Sequence, residues 1–258
     1  MSRLLRSVRT VAAIAALTAV LSPAQVNAAP AATPSTDAVA PVTRHLTDAA
    51  PLTAGVTLTT SLGASYAFSS VVAGKPVRWN PCSTMYWKAN VLRAPAGGLD
   101  ILKAAVASIA ASTGTNWVFA GTTSTTPNSS YLPTTNTVKP VLIGWTDGTA
   151  SDLLRYKPTS VLGMTRTVWF GKTSTTGTVA ATRGAVVALD RMDNLPLRGS
   201  RSWSAVALHE LGHAMGLAHP NDSGELMQAV LPATISSMQT GDRKGLALVG
   251  RSQGCITF

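Results

Sequence analysis

The chain has 258 residues, 45% of them hydrophobic and 12% charged, with a formal net charge of +10. That length suits one packed domain or two small ones, and the apolar share suits a globular fold rather than a disordered one. Lysines and arginines are spread singly, without a basic stripe or interleaved aromatic platforms, so the composition argues against nucleic acid as a partner.

The first element is a targeting signal. Arg3, Arg6 and Arg9 precede an apolar run from Val11 to Leu21, then Ser22-Pro23 and the small-residue site Val26-Asn27-Ala28. A positive region, a hydrophobic region and a cleavage site in that order read as a secretory signal over residues 1–28. The run of about eleven residues is too short for a bilayer span, which needs roughly 20. The expectation is a secreted, extracellular protein with no transmembrane anchor. Losing residues 1–28 removes three arginines and no acid, leaving 18 basic against 11 acidic residues and a net charge of +7. Such a surface favours approach to an anionic wall, although the bland reading is a basic soluble surface. Two cysteines, Cys82 and Cys255, form an even count without a CxxC partner, which in an exported chain predicts one disulfide.

Residues 29–70 are rich in Ala, Thr and Pro with no convincing apolar period, and read as a linker or short pro-segment. Residues 71–258 are then the folded domain. Met85-Tyr86-Trp87 is strand material. Leu99, Leu102, Ala105, Val106, Ile109 and Ala110 recur at helical spacing, and Gly114 stops a helix over 98–113. Short apolar runs at 116–119, 141–145, 161–170 and 184–189 are candidate strands. A second helix starts near Ser202, capped by Ser200 or Ser202. A third helical signal covers 242–250, with Asp242 as its expected cap. The order gives an α+β plan with one sheet.

Chemistry concentrates in His-Glu-Leu-Gly-His-Ala-Met-Gly-Leu-Ala-His at 209–219. It holds three of the chain's four histidines and one of only two glutamates. Residues four apart on a helix share a face, so His209 and His213 converge as two ligands of one metal ion. His219 could not reach that ion along a continuing helix. The chain must leave the helix, and Gly216 offers the left-handed conformation that ends one, while Pro220 blocks its resumption. Three neutral imidazoles leave a fourth zinc position for water, the mark of a catalytic rather than a structural site. Zinc lowers the pKa of such a water and polarises a carbonyl, and Glu210 is placed as general base and then general acid. Asp222 either bonds the loop after His219 or is a solvated acid, and Glu225 is expected to be exposed.

The extended motif, with a later methionine, is that of the metzincins. Over residues 203–227 the sequence resembles the matrixin-like branch of these zinc metalloproteases, in particular small secreted actinobacterial forms. Pro-Asn-Asp-Ser-Gly-Glu-Leu-Met-Gln follows His219, and the resemblance makes Met227 the apolar floor beneath the zinc. A fainter likeness runs from Arg78-Trp79-Asn80-Pro81-Cys82 to Gly250 and Cys255. The family implies a twisted, mixed, mostly parallel sheet with an antiparallel edge strand, an active-site helix and a C-terminal helix. Substrate would pair with the edge strand, placed here at Val161–Thr165.

Three departures from the animal matrixins follow. The only other histidine, His45, cannot supply a second, structural zinc site. Residues 29–70 contain no cysteine to silence the zinc; Asp37, Asp48 or His45 are the alternatives to a solvated tail. No Asp/Asn/Gly loop resembles a calcium site, although backbone carbonyls leave calcium open. The expectation is a monomeric zinc endopeptidase acting on protein or peptide. The alternatives are an exported zinc-binding or interaction protein with little turnover, and a hydrolase directed at cell-wall peptide cross-links.

Overall fold

A computed structural model describes residues 42–48, 52–53, 65–175, 177–222 and 224–257. The expected signal peptide and Asp37 lie outside the described residues. In chain order the elements are β1 (Val42–Asp48), β2 (Leu52–Thr53), β3 (Ala67–Phe68), β4 (Val71–Val72), β5 (Lys75–Pro76), β6 (Met85–Asn90), α1 (Gly98–Thr113), β7 (Trp117–Thr122), β8 (Val141–Thr146), β9 (Val161–Ser174), β10 (Gly177–Asp190), α2 (Trp203–Met215), β11 (Leu217–Ala218) and α3 (Thr240–Val249).

Seven strands form one mixed sheet in the order β1-β9-β10-β8-β6-β7, with β2 also on β9. Strands β10, β8, β6 and β7 run parallel, whereas β9 is antiparallel to both β10 and β1. This is the expected α+β plan. Strand β8, Val-Leu-Ile-Gly-Trp-Thr, is buried along its whole length, as a continuous apolar run in the parallel middle of a sheet must be. Its alternate residues serve two cores. Ile143 packs with Ile101, Leu102 and Ile109 of α1 and with Leu211 of α2. Leu142 faces the other side, among Leu153, Met164, Val186 and Phe170.

Helix α1 coincides with the predicted helix and ends at Gly114 in the left-handed region. Helix α3 starts earlier than expected. Its cap is Gln239, and Asp242 sits three residues in, its carboxylate accepting from the Gln239 N–H at 2.8 Å. An acid at that position answers the unpaired amides of a helix start as well as a cap does. Cys82 and Cys255 form a disulfide across a separation of 173 residues. No described helix is long and apolar enough to cross a membrane.

The largest difference from expectation lies at β9. Val161–Thr165 is part of an antiparallel strand, but that strand is not the outermost one. Strand β1 pairs with it from Val42↔Lys172 to Asp48↔Arg166, and β2 adds Leu52↔Gly163 and Thr53↔Val161. The backbone N–H and C=O groups along an open strand edge accept any extended segment of suitable register. Here that segment comes from the Ala/Thr/Pro-rich stretch of 29–70. The β9–β10 hairpin is also longer than its apolar segments, pairing out to Ser174↔Gly177.

A candidate metal and proton-transfer site

The site is built at the C-terminal end of α2. Ser202 caps the helix, its side chain accepting from the Ala205 N–H at 3.3 Å. Helix α2 ends at Gly216, whose φ of +110° is left-handed. A Cβ there would also lie 2.8 Å from the Val77 carbonyl oxygen. Only glycine meets both demands without strain. The chain then turns into β11, which pairs with β3, and Ser69 N–H donates to the Gly216 carbonyl at 2.9 Å. The turn brings His219 back over α2.

The three histidines meet as the spacing predicted. Nε2 of His209 lies 2.9 Å from Nε2 of His213, and each is 3.1 Å from Nε2 of His219. His209, Glu210 and His213 are essentially inaccessible to solvent, and His219 is partly buried. The outer nitrogens fix the ring states. His209 Nδ1 is 2.8 Å from the Leu226 carbonyl, and His213 Nδ1 is 2.8 Å from the Leu217 carbonyl. A carbonyl only accepts, so both Nδ1 atoms donate. Each neutral ring then carries a bare lone pair on Nε2, and two such lone pairs face each other across 2.9 Å. That arrangement is repulsive unless a cation lies among them. Nitrogens each about 2.0–2.1 Å from one zinc ion at tetrahedral angles stand roughly 3.3 Å apart, close to the separations found. The donor set therefore fits zinc.

Burial keeps the rings neutral, the form that ligates. It lowers His209 well below the ordinary histidine value, helped by the charges that His213 and His219 would carry. His213 falls to about 3 through burial and the neighbouring His219, and His219 to about 4 through burial. Glu210 moves the other way, pushed up to about 8 by burial against the opposing hydrogen bond from Thr165. The Thr165 hydroxyl stands 2.7 Å from Glu210 Oε2 and 3.0 Å from the Glu210 carbonyl oxygen. Glu210 Oε1 is buried without a hydrogen-bond partner. A carboxyl whose proton affinity is raised towards neutrality can take up a proton and release it again.

Met227 is buried beneath α2, where a Cβ on Gly212 would fall 2.4 Å from its sulfur. Its side chain packs closely against α2 at Gly212. The loop carrying it is held by two acids. Asp242 accepts from the N–H groups of Leu226 at 2.8 Å and Met227 at 3.2 Å. Glu225 accepts from those of Gly241 and Asp242, both at 2.9 Å. Glu225 is thus buried rather than exposed: two helix-start amides at α3 compensate its loss of water. Among the described residues Asp222 accepts from the nearby Gly224 N–H, at 2.8 Å, as a local loop acid does. His45 stacks on Trp169 with ring centroids 3.9 Å apart, so its ring is engaged on β9. Cys82 and Cys255 are used in their disulfide and contribute nothing to the histidine cluster.

Sequence reasoning brought together the three histidines, Glu210, Gly216 and Met227. It missed Thr165, the Leu226 carbonyl, and the paired roles of Glu225 and Asp242. A threonine in a strand signals only β-propensity, and a backbone carbonyl has no sequence signature. The one readable trace was an acid placed to cap α3.

Comparison with known families agrees with this geometry. Residues 142–248, from β8 into α3, match the family described as Matrixin. No curated protein gives a match to the chain.

Proposed function

We propose that this chain, which matches the Matrixin family over residues 142–248, is a secreted zinc-dependent endopeptidase. The observation that carries the reading is the set of converging Nε2 atoms, two of them held bare by carbonyls behind their rings. His209, His213 and His219 hold the ion. A zinc ion so held supplies a Lewis acid and a water whose pKa is lowered to about 7. Glu210 takes a proton from the attacking water onto its carboxylate and passes it to the nitrogen of the leaving amine, ending in its starting state. A buried carboxylate next to the ligand His209 is placed for both halves of that transfer. Met227 closes the underside of the site against water.

The substrate peptide lies extended along β9, using the strand edge beside Gly163. In the folded chain β1 and β2 take up that edge, and Leu52 pairs with Gly163 itself. The segment 29–64 therefore acts as a pro-segment that leaves before substrate enters, rather than as a solvated linker. The basic signal at residues 1–28 and the Cys82–Cys255 bridge support export to an oxidising space.

The test is hydrolysis of a denatured protein by the purified chain, with and without a chelator, next to the Glu210→Gln variant. Chelator-sensitive cleavage that disappears in Glu210→Gln supports the reading. A zinc-loaded chain beginning at Ser65, with the β9 edge free, that cleaves nothing would favour the zinc-binding alternative.

A further inference from the structure

Strand β9 does more than border the cleft. Positions 163 and 165 point to the same face of a strand, and in β9 that face meets Glu210. At Gly163 an added Cβ would lie 3.0 Å from Glu210 Cγ and 3.1 Å from Oε1. Two residues on, the fully buried Thr165 places its hydroxyl 2.7 Å from Oε2. The two carboxylate oxygens of Glu210 are thereby made unequal. Oε2 has the Thr165 hydroxyl at the shorter of that group's two contacts, the other being the Glu210 carbonyl oxygen at 3.0 Å, whereas Oε1 has no partner among the described residues although it is buried.

We propose that Thr165 is the positioning residue for Glu210: its hydroxyl holds Oε2, the bare Gly163 leaves room beside Oε1, and Oε1 is the oxygen that exchanges protons with water and amine. The hydrogen bonds of the Thr165 side chain go to Glu210 and to none of the histidines, so the hydroxyl acts through Glu210 even though the backbone of β9 borders the expected peptide. The inference rests on the peptidase reading for its kinetic consequence, but not for its geometry. Without the hydroxyl, both oxygens would compete for the same interior space and the carboxylate would rotate about its terminal bond, whose torsional preference is broad. A reacting group misplaced by about 1 Å loses on the order of 100-fold in rate.

The experiment compares the zinc-loaded wild-type chain, purified after removal of residues 29–64, with Thr165→Val, which keeps the shape and removes the hydroxyl, and Thr165→Ser, which keeps the hydroxyl. We expect Thr165→Val to lose about 10–100-fold in kcat on a fluorogenic peptide, with KM within about twofold and one zinc per chain retained. Thr165→Ser should recover to within about threefold of wild type. A structural role alone would lower folded yield or zinc content and leave kcat per zinc-bound molecule unchanged. Thr165→Ala takes the same readings if the valine variant does not fold. Crystal structures of wild type and variant supply a readout independent of turnover: Glu210 Oε2 should move from its wild-type position in Thr165→Val. The proposal is overturned if Glu210 keeps its orientation there, if kcat stays within about twofold of wild type, or if the serine variant is as slow as the valine one. A wild type that binds zinc and cleaves nothing would count against the peptidase reading alone, and the crystallographic comparison would still decide the role of Thr165.

Discussion

Replacing Asp242 by alanine should damage both the fold and the metal site. The Asp242 carboxylate is fully buried and accepts three backbone N–H groups, from Leu226 and Gln239 at 2.8 Å and Met227 at 3.2 Å. Hydrogen bonds to a charged acceptor are each worth about 1.5–3 kcal/mol, and a buried amide left unpaired costs a similar amount. Water entering the vacated space would recover part of this, so a net loss of about 4 kcal/mol is expected, a large share of a typical domain's 5–15 kcal/mol. The damage also reaches the histidines. Leu226 presents its N–H to Asp242 and its carbonyl to His209 Nδ1. A loosened Leu226 no longer fixes the His209 ring, and loss of such an outer partner weakens metal binding about 10–100-fold. Urea titration followed by tryptophan fluorescence, with zinc and with chelator, measures the first effect, and competition against a chromophoric chelator measures the second. An Asp242→Ala protein within about 1 kcal/mol of wild type, with unchanged zinc affinity, would refute the reasoning.

Glu210→Gln should keep one zinc per chain and lose on the order of 10²–10⁴-fold in peptide hydrolysis; full activity would remove Glu210 from the mechanism. A chain beginning at Ser65 should cleave peptides at least about tenfold faster than one beginning at Ala29, because the β9 edge is no longer occupied by its own N-terminal segment. Equal rates would sink the pro-segment assignment. Replacing both Cys82 and Cys255 by alanine should lower stability by up to about 5 kcal/mol, since the bridge closes a loop of 173 residues; a calorimetric scan that finds no fall in Tm would contradict it. Asp193 gives a pH test away from the histidines. Burial, with the nearby Asp190 carboxylate, lifts it from 3.8 to about 6. The native state then holds a proton that the unfolded state has released, so stability contributed below about pH 4 is lost as pH rises to about 6. Asp193→Asn should flatten that decline in urea titrations taken across the interval, and an unaltered pH profile would count against it.

What the sequence revealed followed from short-range geometry. The separations of His209, His213 and His219, together with Gly216, contain the whole local instruction for bringing three rings together. The apolar spacing of Leu102, Val106 and Ile109 likewise marks α1, and the continuous run of β8 marks the sheet centre. Strand β1 was not legible, because Thr43, Arg44, His45 and Leu46 are all exposed and no apolar face distinguishes them. Backbone pairing with β9 makes that segment a strand, and such pairing leaves no trace in composition. The burial of Glu225 was hidden for a related reason. An acid in a polar loop looks solvated until α3 presents its first amides to it. Thr165 escaped notice because its importance lies in the distance to Glu210, 45 residues away in sequence.

The most direct test joins zinc analysis of the purified chain to X-ray absorption at the zinc edge. One zinc per chain, surrounded by three imidazole nitrogens at about 2.0–2.1 Å and one oxygen, and lost on replacing any one of His209, His213 or His219, is the predicted result. A protein that takes up no stoichiometric zinc, or binds it unchanged without His219, would contradict the account at its centre.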